Sequence, residues 1–160
     1  MMRDRPEMRD RPGLCGVLLA LVAVIVVPEA HALSATDPWD AAAREAMPIY
    51  LKMWLGLMML NNLAAIAFLK NHIPARWWFA GFIISHGIVV LMGMQELTVY
   101  AGQVSLFHIL CWTPGAIALL LYRHKIRWPS AFAVWATLAA FFYSVSMIFD
   151  LRDAATWLLS

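Results

Sequence analysis

Four apolar stretches, residues 49–69, 77–95, 104–122 and 131–149, follow one another with short polar turns between them. Each is about the 20 residues that an α-helix requires to cross roughly 30 Å of hydrocarbon at about 1.5 Å per residue. Hydrocarbon offers no partner to a backbone N–H or C=O, so segments of this length and polarity satisfy those groups internally, as helices. The sequence therefore predicts an all-α protein, an integral-membrane four-helix bundle over residues 49–160. Composition agrees: 62% of residues are hydrophobic and 14% charged, against about 25% charged in soluble domains, which excludes a water-soluble core.

Residues 1–32 read as a cleavable N-terminal signal peptide. Arg3, Arg5, Arg9 and Arg11 precede an apolar run from Leu14 to Val27, then Pro28, then Ala30-His31-Ala32 as a small-x-small cleavage site. An apolar run of about 14 residues is short for a span, so the mature chain is expected to start at Leu33. Cleavage removes Cys15 and leaves Cys111, so no intramolecular disulfide forms. A lone intramembrane cysteine reads as a small buried hydrophobe. Residues 33–48 are expected to hold a short interfacial helix, with Asp37 as N-cap, Pro38 at the first helical position and a stop before Pro48.

Orientation follows from lysine and arginine placement. Lys70 and Arg76 bracket one turn, and Arg123, Lys125 and Arg127 occupy another. The opposite side carries Arg44, Lys52 and Arg152, with no Lys or Arg in 96–103. The positive-inside rule puts the two basic turns in the cytoplasm and both mature termini outside, as periplasmic ends of a multi-pass inner-membrane protein. His72 and His124 are expected to be solvated turn residues. A formal charge of +2 is too small to point to nucleic acid. With a shift of 51 residues, segment 65–80 matches 116–131 at seven positions, including Arg76-Trp77 with Arg127-Trp128. Either a parallel repeat or convergent turn chemistry produces that pattern.

Small residues mark expected packing seams: Ala136, Ala140 and Ser144 in the fourth span, and Gly81, Ser85 and Gly93 in the second. Pro114-Gly115 is expected to bend the third by removing one backbone bond. Polar residues inside spans need internal partners and fall into two layers. Asn61, Asn62, His86, Thr113 and Thr137 lie near mid-membrane by residue rise, where His86 is expected to hydrogen-bond Asn61 or Asn62 and hold the bundle in register. Lys52, Gln95, Glu96, Gln103, His108, Ser146 and Asp150 lie near the outer surface, with Lys52 expected to pair with Glu96. A haem b held by His86 and His108 is the alternative use of the imidazoles. By the same residue count His86 sits a turn or more deeper than His108, which counts against it.

No catalytic signature and no metal-ligand spacing stands out. Three function classes fit: an accessory or structural membrane subunit working with other membrane subunits or further copies of itself, a small oligomeric carrier or channel with the Asn/His layer facing a shared pore, and a haem- or quinone-binding redox subunit. No cofactor is required by the first two, and the bilayer is the common partner.

Overall fold

The computed structural model describes residues 34–160; the expected signal peptide, its expected cleavage site and Leu33 lie outside the described residues. The described chain is a helical bundle. A short α1 (Ala41–Ala46) precedes α2 (Ile49–Ala64), which a 3-10 turn continues over Ala65–Phe68. Then come α3 (Ile73–Met94), α4 (Ala101–Leu121) and α5 (Ala131–Leu159). Helix α2 with its 3-10 continuation, and helices α3, α4 and α5, are each long and apolar enough to cross a membrane.

Helix ends differ from the expected ones for identifiable reasons. Helix α3 begins at Ile73 rather than 77 because Pro74 occupies its first turn, where the missing N–H has no intrahelical acceptor to lose. Arg76, expected to mark the turn, lies inside α3 and reaches back to the preceding helix: its Nε donates to the Leu69 carbonyl at 2.6 Å and its Nη2 to that of Lys70 at 2.7 Å. Those carbonyls are among the groups a helix end leaves unpaired. The repeat does not extend to the backbone, because Arg76-Trp77 is helical whereas Arg127-Trp128 precedes α5. Helix α5 runs to Leu159, ten residues past the expected end, since neither Gly nor Pro follows Phe149.

The N-terminal segment is also rearranged. Asp40, not Asp37, caps α1, its carboxylate accepting from the Ala43 N–H at 2.8 Å. Asp37 accepts from the Ser34 N–H instead. Pro38 then pairs with Tyr100, and the Ala101 and Gly102 N–H groups donate to the carbonyls of Asp37 and Ala35 at 3.0 and 2.9 Å. These are orphan donors of the first turn of α4, so residues 34–40 act as a backbone cap on that helix.

Helices α3 and α4 approach closely where glycines remove side chains. A Cβ on Gly81 would stand 2.1 Å from the Cys111 carbonyl oxygen, and one on Gly115 would stand 2.8 Å from the Trp78 Cα. Close backbone approach of this kind is what small residues contribute to association in lipid. Pro114 is accommodated within a continuous α4, and the neighbouring Thr113 hydroxyl bonds the Ile109 carbonyl and lies 2.9 Å from the Tyr143 hydroxyl. The seam of α5 is rotated from expectation: Phe132, Trp135, Ala136 and Ala139 are buried, while Ala140 and Ser144 are exposed. Gly93 likewise packs against nothing. Two aromatic clusters fill the interior. One joins Trp78, Leu119, Phe132 and Trp135, and the other joins Met58, Phe82 and Trp112.

Candidate functional site

The polar residues of the bundle sort into two groups that differ from the layers read off the sequence. In the first, Asn61 and Asn62 of α2 turn inward toward tryptophans. The Trp78 indole N–H donates to the Asn62 side-chain oxygen at 2.8 Å, and the Trp135 indole donates to the Asn61 carbonyl at 3.0 Å. A buried indole N–H needs an acceptor, and α2 supplies both. The Asn61 Nδ2 atom is buried without a hydrogen-bond partner. Thr137 bonds its own helix at the Ala133 carbonyl, 2.9 Å away, and faces outward.

His86 belongs to the second group, and its expected contact with Asn61 or Asn62 is replaced by local bonds. Its Nδ1 lies 2.9 Å from the Phe82 carbonyl and 3.2 Å from the Ser85 hydroxyl. A carbonyl only accepts, so Nδ1 carries the hydrogen in the neutral ring and Nε2 is left as an acceptor. Ser85, 1% exposed, donates to the same carbonyl at 3.1 Å and accepts from the Trp112 indole at 3.0 Å. The Trp112 ring stacks on His108 with centroids 4.6 Å apart, and His108 lies 6.0 Å from His86, centroid to centroid.

The depth offset expected between the two histidines is therefore absent. His86 is eight residues before the end of α3, and His108 seven after the start of α4. At about 1.5 Å per residue they lie roughly 12 and 10 Å from the same end of the bundle. Expected boundaries that were displaced on antiparallel helices had shifted one imidazole inward and the other outward.

Asp150 of α5 completes the group. Its carboxylate oxygen Oδ2 lies 3.6 Å from His108 Nδ1, within ion-pair reach but too long for a hydrogen bond. That oxygen is buried and has no hydrogen-bond partner among the described residues, and Asp150 as a whole is 8% exposed. One turn earlier Ser146 is committed elsewhere, donating to Met58 Sδ of α2 at 3.1 Å. Asp150 is the one charged side chain in the buried set among the described residues. No group of three or more His, Cys, Asp or Glu among them is placed to hold a metal ion.

The remaining outer residues do not join this cluster. Lys52 donates to the Glu45 carbonyl at 2.7 Å rather than to Glu96. Glu96 sits in the turn after α3 with a φ of 57°. In the opposite turn His72 is not simply solvated: it stacks on Phe132 with centroids 3.6 Å apart, and burial pulls its imidazole pKa below the ordinary histidine value. Sequence reading missed Trp78, Trp112 and Trp135 as hydrogen-bond donors. For Trp112 the position well inside its span, away from the interfacial belts that tryptophan favours, was the available signal, whereas Trp78 and Trp135 stand near the expected starts of theirs and gave none. No family model matches the chain, and no curated protein or solved structure matches it either.

Proposed function

We propose that this chain is an accessory subunit of the inner membrane, with both mature termini periplasmic, that works with other membrane subunits or with further copies of itself and contributes a one-proton site formed by His108 and Asp150. The observation that carries the site is the buried Asp150 Oδ2 facing an imidazole. An ionised carboxylate without a donor in apolar surroundings costs several kcal/mol. One proton removes that cost, whether it resides on the carboxyl group or makes His108 an imidazolium. His86 lies beside the pair as the nearest further imidazole.

The inward turn of Asn61 and Asn62 favours a packing role over a shared pore, because both side chains are buried within a single chain. A haem between α3 and α4 would displace the Trp112–Ser85 bond and part the close approach at Gly81, so the packing of the two helices weighs against that use of His86 and His108. The test combines native mass spectrometry after gentle extraction with 15N-imidazole NMR. The first is expected to find a stoichiometric membrane partner or a homo-oligomer, and a lone monomer would refute the subunit reading. The second is expected to show the His108 imidazole resonances altered at fixed pH in Asp150→Asn, through the 3.6 Å contact. His108 resonances unchanged in that variant would refute the pair.

A further inference from the structure

At the end of the bundle that holds residues 34–48, an open crevice of about 590 Å3 lies between the N-terminal segment and the last turns of α3. Its lining combines the apolar Val90, Gly93 and Leu97 with the charged Asp40, Arg44 and Glu96. Val90 and Leu97 are exposed, and a Cβ built on Gly93 meets nothing within 4 Å. Val90 and Gly93 belong to a helix long and apolar enough to span a membrane, whereas Asp40, Arg44 and Glu96 lie outside it. The crevice thus presents a hydrocarbon-facing half and a charged half, with one cation and two carboxylates.

Glu96 adds an independent observation. The turn closing α3 is a Schellman motif, in which Leu97 N–H donates to the Met92 carbonyl and Glu96 N–H to that of Gly93, both at 3.0 Å. Glu96 occupies the left-handed position with a φ of 57°, where glycine is the usual residue and an L side chain is disfavoured. A charged side chain is held at the crevice in a backbone conformation that opposes it.

We propose that this crevice binds one zwitterionic phospholipid of the amine-phosphate class. Arg44 takes the phosphate, the point at which a guanidinium fork is effective. Asp40 and Glu96 face the ammonium, and the first acyl methylenes lie on Val90 and Leu97 over the space left by Gly93. The site rests on α3 standing in a membrane and does not depend on the His108–Asp150 pair.

Full-length protein extracted in gentle detergent is incubated with an equimolar mixture of dioleoyl phosphatidylethanolamine and dioleoyl phosphatidylglycerol, and retained lipid is read by native mass spectrometry. Phosphatidylethanolamine is expected to be retained in preference. Gly93→Phe, whose Cβ enters open space, is expected to lower retention about tenfold, the equivalent of losing one good contact. Glu96→Gly is expected to lower retention of phosphatidylethanolamine while thermal stability holds or rises, since the left-handed strain is relieved. Arg44→Gln is expected to weaken both lipids. Equal retention of the two lipids by the wild type, or undiminished retention in a Gly93→Phe protein of normal stability, overturns the proposal. Displacement of the lipid by inorganic phosphate alone overturns it in favour of a phosphate site.

Discussion

If α2 is held to the bundle by tryptophan indoles bonded to its asparagines, then removing one acceptor should cost more than its volume, and removing both partners should cost less than the sum. Asn62→Leu keeps the side-chain size but leaves the Trp78 indole N–H, in a residue only 2% exposed, without its 2.8 Å acceptor. A buried donor left unsatisfied costs about 1–3 kcal/mol. Trp78→Phe removes the donor, and also part of an aromatic cluster in which Trp78 lies edge-on to Trp135 at 6.2 Å, so its packing loss has to be separated from the hydrogen bond. The double variant Asn62→Leu/Trp78→Phe does this, because the packing loss enters both sides of the cycle. Hydrogen bonds measured between membrane helices contribute about 0.6–2 kcal/mol, and the coupling energy is expected in that range. Equilibrium unfolding in mixed micelles, followed by tryptophan fluorescence, gives all four free energies. Additive losses, with no coupling outside error, would refute the indole lock, and Asn62 would then be a residue that merely fills space.

Three further outcomes follow from the same geometry. Gly81→Val should fail to assemble stably, because its Cβ would meet the Cys111 carbonyl oxygen at 2.1 Å, while Gly56→Ala, with nothing within 4 Å, should be neutral or stabilising by up to about 1 kcal/mol; similar melting temperatures for the two variants would contradict the close approach of α3 and α4. Cysteines placed at 98 and 124 should react oppositely with an impermeant thiol reagent in spheroplasts, 98 labelled and 124 protected, and the reverse pattern would invert the orientation. The folded state holds His72 neutral against Phe132 with its pKa lowered, so between the folded value and the ordinary one of about 6.5 the unfolded chain binds more protons. That contribution is present above about pH 6.5 and is lost as pH falls through the folded value; His72→Phe should flatten this part of the melting-temperature profile, and an unchanged slope would assign it to other groups.

The spans were legible in the sequence because hydropathy over about 20 residues reports the solvent a helix stands in. Which face of each helix packs was not legible, because lipid is as apolar as a side-chain core and supplies no contrast. Helix α5 illustrates this. Ala136 and Ala140 are equivalent by composition, yet Ala136 is buried and Ala140 exposed. The choice is made by Phe132, Trp135 and Ala139 packing on Trp78 and Leu119, a long-range arrangement that no local pattern encodes. Polar residues suffer less from this ambiguity, since each requires a partner wherever it lies. Of the polar residues the sequence singles out, Asn61, Asn62, His86, Thr113, His108 and Asp150 are buried or half-buried, while Thr137, Lys52 and Glu96 are exposed.

Partner choice among those residues was decided by helix ends. At the end the two histidines share, α4 starts three residues and α3 ends one residue earlier than expected, about 4.5 and 1.5 Å along the two axes. The two helices run antiparallel, so errors of the same sign in sequence move their side chains in opposite directions along the bundle, and the two displacements add. Together they account for most of the apparent gap between His86 and His108, which the structure brings to a 6.0 Å centroid separation. The ends themselves were set by groups read for another purpose. Arg76 reads in the sequence as a turn-bracketing charge that sets orientation, whereas its guanidinium caps the carbonyls of Leu69 and Lys70 from inside α3. A long cationic side chain near a membrane boundary reports which side of the bilayer it prefers, and its reach of several ångströms leaves the position of its own backbone free by about a helical turn.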